Sequence, residues 1–105
     1  MIFITGPLYS GKRTFAQKLP GTQLCDVQTL AADAADLPAL ADRLARDYDI
    51  LIATEVGGGV VPMDAAERAA REAAGRLACL LAARADCVVQ MFCGIPTVLK
   101  GELSL

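Results

Sequence analysis

The sequence predicts an α/β fold, a three-layer sandwich in which a small, mostly parallel sheet lies between layers of helices. Short apolar runs, typical of buried strands, alternate along the chain with segments of helical composition. The connections between the runs are long enough for crossover helices, which parallel pairing requires. Glycine-rich segments at 6–11 and 57–59 directly follow two of the runs, so both are expected at the ligand-binding edge of the sheet. The length of 105 residues indicates a single domain over residues 1–105.

The first half of the chain is predicted to contain two strands and two helical segments. Pro20-Gly21 ends the first helix, and Pro38 divides the second helical segment. Asp36 is the expected N-cap of the main part of that segment. The predicted elements are a strand over 1–5, a helix over 12–19, a strand over 22–27 and helical residues over 28–47.

The second half is predicted to contain one long helix with one strand before it and one strand after it. Asp64 and Glu67 have the spacing of a capping box at the start of this helix. Gly75 lies inside the helix, where glycine costs about 1 kcal/mol relative to alanine, and this indicates close approach of another backbone. The predicted elements are a strand over 49–54, a helix over 64–85 with the ion pairs Glu67–Arg71 and Glu72–Arg76, and a final strand over 87–92.

The turn after the first strand has the pattern of a phosphate-binding loop, G-x-x-x-x-G-K, from Gly6 to Lys12. Its glycines let successive backbone N–H groups point at phosphate oxygens, and the next helix adds the positive end of its dipole. Lys12 is expected to reach the outer phosphates, but Arg13 replaces the usual Ser or Thr after the lysine. A plain turn between strand and helix is the alternative. The residues predicted to bind a nucleotide are Gly6, Pro7, Leu8, Tyr9, Ser10, Gly11, Lys12, Arg13 and Thr14.

Acidic residues after the predicted strands are candidates for holding Mg²⁺ beside this loop. Glu55 ends an apolar strand, where nucleotide-dependent enzymes place a carboxylate for the ion or its water; a solvated charge is the alternative. We predict Lys12 and Glu55 as catalytic residues, and Glu55 with Thr14, or Ser10 in its place, as the metal ligands. Asp26 could reach the same edge, although its context favours a turn residue. The glycines at 57–59 suit either a flexible connection or close approach of backbone to a substrate.

Composition argues against several classes of function. The net charge of −2 gives no electrostatic footprint for nucleic acid, and no apolar run is long enough to span a membrane, so a cytoplasmic protein is expected. The sequence has no histidine, which removes imidazole bases and phospho- or nucleotidyl-histidine intermediates.

The arginines Arg68, Arg71 and Arg76 favour a solvated, salt-bridged helix face, with phosphate contact as the alternative. The cysteines lack metal-ligand spacing and are expected to be buried and reduced: Cys25, Cys79, Cys87 and Cys93.

Several segments carry a family resemblance. They are Ser10-Gly11-Lys12, the run from Glu55 to Pro62, Arg68, Arg71-Glu72, Gly75-Arg76, Ala85-Asp86, Gly94-Ile95-Pro96 and Leu99-Lys100. Over residues 1–19 and 49–101 the chain resembles the adenosylcobinamide kinase / adenosylcobinamide-phosphate guanylyltransferase family. The resemblance implies a P-loop NTPase-like fold and an enzyme of cobalamin assembly and salvage. It also implies homo-oligomers with nucleotide sites near the subunit contacts.

The resemblance implies two activities: phosphorylation of adenosylcobinamide with ATP or GTP, and transfer of GMP from GTP through a guanylyl-histidine. The family is longer, and the stretch missing here, between residues 20 and 49, carries that histidine and an acidic strand end. We therefore predict ATP- or GTP-dependent phosphorylation of adenosylcobinamide with Mg²⁺, without guanylyl transfer. Two alternatives remain: a catalytically inactive nucleotide-binding paralogue that acts as a regulatory or interaction subunit, and another small P-loop kinase with an unrelated acceptor.

Overall fold

The computed structural model describes residues 1–55 and 64–103, and these residues form an α/β structure with five strands. Four of the strands and the helices between them follow the predicted alternation. In chain order the elements are β1 (Ile2–Gly6), α1 (Lys12–Ala16), β2 (Gln23–Leu24), a 3₁₀ helix (Val27–Leu30), α2 (Leu37–Asp47), β3 (Ile50–Thr54), α3 (Ala65–Arg84), β4 (Cys87–Phe92) and β5 (Ile95–Lys100).

The strands form one mostly parallel sheet in the order β2-β3-β1-β4-β5. Strand β1 lies at the centre, and its Ile4 is in register with Ile52 of β3 on one side and Val89 of β4 on the other. Only β5 runs antiparallel to its neighbour, as the second strand of a hairpin with β4. The predicted α/β class with a small, mostly parallel sheet is confirmed, and the loop after β1 leaves from the middle of the sheet.

Helices cover both faces of the sheet, because side chains of each strand alternate between the faces. On one face α2, α3 and the 3₁₀ helix pack on Phe3, Leu51, Ala53 and Val88. On the other face α1 packs on a second cluster, to which the strands contribute Ile4, Ile50, Ile52, Cys87, Val89 and Met91. The second helical layer is thin, since α1 has five residues. Among the described residues, no helix is both long enough and apolar enough to cross a membrane.

The strand predicted over 22–27 is wrong in its second half. Only Gln23–Leu24 pair with β3, and the chain then turns into the 3₁₀ helix. Asp26 starts this helix with a φ of 56°, a left-handed conformation that no strand residue adopts. The helix predicted over 12–19 likewise ends at Ala16, although Leu19 beyond it is still buried.

Strand β5 was not predicted, so the description of 87–92 as the final strand is wrong. All six residues of β5 are exposed, and one of them is Pro96. A strand exposed on both sides shows no alternation of polar and apolar residues, which removes the pattern by which strands are recognised. Large apolar side chains remain exposed on this hairpin, namely Phe92, Ile95, Val98 and Leu99.

Helices α2 and α3 begin at their predicted caps. The side chain of Asp36 accepts a hydrogen bond from the N–H of Ala39 at 3.1 Å. That of Asp64 accepts one from the N–H of Glu67 at 2.7 Å. Both predicted ion pairs of α3 form, with distances of 3.6 Å for Glu67–Arg71 and 2.7 Å for Glu72–Arg76.

The inference of close packing at Gly75 is wrong. A Cβ atom built on Gly75 has no atom within 4 Å outside its own helix backbone. The glycine therefore leaves room on α3 and is not required by a neighbouring backbone. It lines a cavity of about 230 Å³ between α3 and the 3₁₀ helix, at the end of β3.

The prediction of four buried cysteines holds only for Cys87. Cys25 and Cys93 lie in turns beyond strand ends, and Cys79 is on the outward side of α3, so all three are exposed. All four are free thiols, as expected. Burial raises the pKa of the Cys87 thiol.

Candidate functional site

The carboxyl ends of three neighbouring strands, β3, β1 and β4, meet at one edge of the sheet. The phosphate loop (residues 6–12) follows β1, Glu55 follows β3, and the Cys93-Gly94 turn follows β4. The N–H of Glu55 donates to the carbonyl of Gly6 at 2.8 Å, which fixes the end of β3 beside the start of the loop. The loop residues Ser10 and Lys12 are buried. The glycine run at 57–59 lies outside the described residues.

The path of the phosphate loop depends on its two glycines. A Cβ atom on Gly6 would collide with the carbonyl of Met91 and lie 2.7 Å from the hydroxyl of Ser10. Gly11 has a φ of 91°, in the left-handed region that favours glycine, and a Cβ there would lie 3.2 Å from the Cα of Gly94. The loop also receives a hydrogen bond of 2.9 Å from the N–H of Gly94 to the carbonyl of Ser10. The β4–β5 hairpin therefore supports the loop from outside.

Backbone donors are available along the loop. Within the described part of the chain, no N–H group of residues 8–14 donates a hydrogen bond to another protein group. A run of such N–H groups in a glycine-containing turn is suited to binding phosphate oxygens. The dipole of α1 adds less than expected, because the helix has only five residues.

Lys12 lies beneath the loop and is only 7% exposed. Its Nζ donates to the carbonyl of Pro7 at 2.7 Å and lies 3.4 Å from the Oγ of Ser10. Burial lowers the pKa of Lys12, while the negative charges of Asp26 and Glu55 act in the opposite direction. The ammonium group is thus held inside the curve of the loop and lies within the field of both acids.

The structure adds Asp26 to the site. Asp26 lies with the loop residues and Thr14 along a cleft of about 400 Å³, the loop cleft. Its Oδ2 accepts a hydrogen bond from the Nη2 of Arg13 at 2.7 Å. Gln28 ties the 3₁₀ helix to the sheet, because its Oε1 accepts a hydrogen bond from the N–H of Thr54 at 3.0 Å. This connection holds Asp26 opposite the loop, although its sequence context favoured an ordinary turn.

Glu55 faces a second, wider cleft of about 940 Å³ between the 3₁₀ helix and α3. Its carboxylate is exposed and accepts a hydrogen bond of 2.8 Å from the Nε2 of Gln90 on β4. Arg71 lines this wide cleft too, so one of the three arginines considered for phosphate contact lies beside the loop. Leu8 borders both clefts, which makes them neighbours.

The donor set does not form a usual Mg²⁺ site. Arg13 stands where a hydroxyl residue is expected after Lys12, and its guanidinium donates a hydrogen bond to the carboxylate of Asp26. Thr14 lines the loop cleft and Glu55 the wide cleft, so the two predicted ligands face different spaces. No cluster of three or more metal-ligating side chains occurs in residues 1–55 and 64–103. The assignment of Mg²⁺ to Thr14 and Glu55 stays a prediction.

The sequence predicts the loop and Glu55 as site residues, gives little weight to Asp26, and contains no sign of Gln28 or Gln90. The signal for Asp26 was present, since an acid after a short apolar segment in a parallel sheet points to the ligand-binding edge. Gln28 and Gln90 have no local signal. Their roles depend on contacts 26 and 35 residues away in the chain.

Comparison with known proteins identifies one family. The family model for cobinamide kinase / cobinamide phosphate guanyltransferase matches residues 24–99, more than two thirds of the chain. The match includes residues 24–48, which the resemblance described above left out, and it begins after the phosphate loop. The family has a P-loop NTPase-like fold, uses nucleoside triphosphates and acts in cobalamin biosynthesis. No curated protein matches the chain.

Proposed function

Because the chain belongs to the cobinamide kinase / cobinamide phosphate guanyltransferase family, we propose that it is the kinase half of that pair of activities. It binds ATP or GTP at the phosphate loop and transfers the terminal phosphoryl group to a hydroxyl of adenosylcobinamide. The bond from the terminal phosphorus to the nucleotide breaks, a bond to the acceptor oxygen forms, and a nucleoside diphosphate leaves. The observation that supports this proposal is the run of N–H groups over residues 8–14, none of which donates a hydrogen bond to a group in residues 1–55 or 64–103, above the buried Lys12.

The loop and Lys12 bind and orient the nucleotide. The N–H groups receive the phosphate oxygens, and Lys12 exchanges its hydrogen bond with the Pro7 carbonyl for a contact with a negatively charged oxygen. Phosphoryl transfer depends mainly on such positioning and on stabilisation of charge, so it does not require histidine. The nucleotide lies in the loop cleft.

Glu55 acts at the acceptor. Its carboxylate borders the wide cleft next to the loop, where an acceptor has room to enter. We assign it the proton of the attacking hydroxyl, and Gln90 holds it in place through the bond of 2.8 Å. No step is assigned to Mg²⁺, because the residues present do not form its usual site.

The second candidate function is a nucleotide-binding subunit without catalytic activity. The observation that favours it is the contact between Arg13 and Asp26, which engages an acid that could otherwise take part in catalysis. Such a subunit would bind the nucleotide as the kinase does but would form no adenosylcobinamide phosphate.

The test is a product assay on the purified chain with ATP or GTP, Mg²⁺ and adenosylcobinamide, followed by mass spectrometry. We expect adenosylcobinamide phosphate, and we expect Lys12→Ala to reduce its formation about 100-fold or more, as for removal of a transition-state donor. The matched control is Lys18→Ala, which removes an exposed lysine outside the site. Full activity of Lys12→Ala would contradict the assignment, and nucleotide binding without product would favour the inactive subunit.

A further inference from the structure

We propose that Arg13 supplies the positive charge that a divalent cation usually brings to a phosphate loop, so that this chain binds its nucleotide without metal. The inference rests on the proposed nucleotide site and specifies the chemistry of its ligand, a nucleoside triphosphate free of metal. Its basis is the position of one guanidinium group between the loop and Asp26.

The guanidinium group of Arg13 lies between the phosphate loop and Asp26. In common phosphate-loop enzymes, the hydroxyl residue after the lysine holds Mg²⁺ from one side and an aspartate after a nearby strand holds it from the other. Here the residue after Lys12 is Arg13, and the acid across the loop cleft is Asp26. They contact each other directly, with the Nη2 of Arg13 2.7 Å from the Oδ2 of Asp26. The guanidinium therefore lies between the loop, where the usual hydroxyl ligand is missing, and one of the two acids at this edge of the sheet.

The guanidinium of Arg13 has more hydrogen-bond donors than its contact with Asp26 needs. A guanidinium has five N–H donors in a planar fork that matches two phosphate oxygens at once. A single contact with Asp26 leaves most of these donors for a ligand. The side chain of Arg13 is 68% exposed and that of Asp26 45% exposed, so the pair can rearrange at little cost. Arg13 and Lys12 both line the loop cleft and together present two positive charges to a triphosphate.

The carboxylate of Asp26 is already paired with a positive charge, the guanidinium of Arg13. A metal ion entering this position has to displace the guanidinium from the carboxylate, and the arginine is attached to the loop itself. Asp26 lines the loop cleft and Glu55 the wide cleft, and residues 1–55 and 64–103 contain no group of three or more side chains that could hold a metal ion. The guanidinium of Arg13, which is covalently attached to the loop, therefore competes better for the carboxylate of Asp26 than a free metal ion does.

The experiment compares nucleotide binding with and without metal. Isothermal titration calorimetry on the full chain measures the dissociation constants of ATP and GTP, once in excess EDTA and once in saturating Mg²⁺. For the wild-type chain we expect the two constants of the preferred nucleotide to agree within about threefold, since the charge that Mg²⁺ supplies elsewhere is already present.

Variants of the pair separate a phosphate contact from a structural one. Arg13→Thr should weaken metal-free binding roughly 10- to 100-fold, the range for losing a hydrogen bond to a charged group, and Mg²⁺ should restore part of it. Arg13→Gln should show the same loss without adding a hydroxyl ligand. Asp26→Asn should bind metal-free nucleotide at least as tightly as the wild type, because it removes a negative charge near the phosphates. Arg46→Thr, at an exposed arginine paired with Asp47, is the control that should change nothing.

Each outcome decides the matter. Binding that requires Mg²⁺ in the wild-type chain overturns the inference and leaves the proposed nucleotide site intact. Equal losses in Arg13→Thr and Asp26→Asn also overturn it, because they mean that the pair only stabilises the fold around the loop. No binding under either condition removes the proposed function, and the inference with it. Unfolding scans on each variant show whether a loss of binding reflects a loss of structure.

Discussion

At the scale of single residues, the charge of Lys12 decides how the phosphate loop behaves without its ligand. The ammonium group is buried and donates to the carbonyl of Pro7, which is a dipole and not a charge. A buried charge with a weak partner is destabilised relative to its neutral form, and this is why the pKa of Lys12 is lowered. A phosphate oxygen is a better partner, so ligand binding and protonation of Lys12 favour each other.

Nucleotide affinity should therefore decrease as the pH rises through the lowered pKa of Lys12, below the value of about 10.4 for a free lysine. The protonated side chain binds the anion, and the neutral one does not, so affinity is complete at lower pH and is lost on the alkaline side. Calorimetric titrations at increasing pH measure this decrease.

The control for this decrease is Lys12→Arg, whose guanidinium keeps its charge throughout the range. Whatever its affinity, that variant should show no decrease over the same interval. A wild-type profile that is flat, or one that the variant reproduces, would contradict the role given to Lys12.

At the residue scale, a sequence motif can predict a chemical role directly, whereas a role that depends on a contact across the sheet leaves no local signal. The loop pattern predicts a phosphate contact for Lys12, which the structure places beneath the loop, and its role stays a prediction. Asp26 follows a strand of two residues, too short to be told from a turn, and its position opposite the loop depends on the bond from Thr54 to Gln28. Glu55 lies at the expected edge, while its metal-binding role stays a prediction.

At the scale of secondary-structure elements, the same substitution should have opposite effects in a loop and in a helix. Gly6→Ala places a methyl group against the carbonyl of Met91 and the hydroxyl of Ser10, so it should destabilise the fold and weaken nucleotide binding. Gly75→Ala meets no atom within 4 Å and should stabilise the chain by about 1 kcal/mol through helix propensity. Chemical denaturation measures the free energy of unfolding of both variants.

The two glycine variants serve as each other's control, since both add one methyl group. A stable Gly6→Ala variant with normal nucleotide binding would show that the loop tolerates a side chain there. A destabilised Gly75→Ala variant would mean that the space beside α3 is needed.

Elements with a buried face were predictable, and the exposed ones were not. Helices α2 and α3 carry caps at their first turns and apolar residues at helical spacing, and both begin where expected. Strands β1, β3 and β4 are runs of buried residues. Strand β5 is exposed along its whole length, and its pairing with β4 fixes a structure that its own residues do not indicate.

At the scale of the whole molecule, the absence of histidine limits which family activity the chain can have. The 105 residues include no histidine, so this chain has no imidazole that could carry a guanylyl group. Incubation with GTP should therefore leave the intact mass of the protein unchanged, and guanylylated cobinamide should not form. Mass spectrometry of the protein and of the cobinamide products measures both.

The kinase product from the same incubation is the control for that result, because it shows that GTP reached the site. An increase in protein mass by one GMP would contradict the argument and would point to a different nucleophile. The predicted homo-oligomer stays a prediction.

The hairpin of β4 and β5 has a thermodynamic consequence for the loop that it supports. Holding one residue in a single backbone conformation costs about 1–2 kcal/mol of entropy, and a loop that becomes ordered on binding takes this cost from its affinity. Here the bond from Gly94 to Ser10 and the contact of Gly6 with Met91 form during folding. These two contacts fix Gly6 and Ser10 before a nucleotide arrives. Less of the free energy gained from contacts with phosphate is therefore lost to ordering the loop, and more of it contributes to nucleotide affinity.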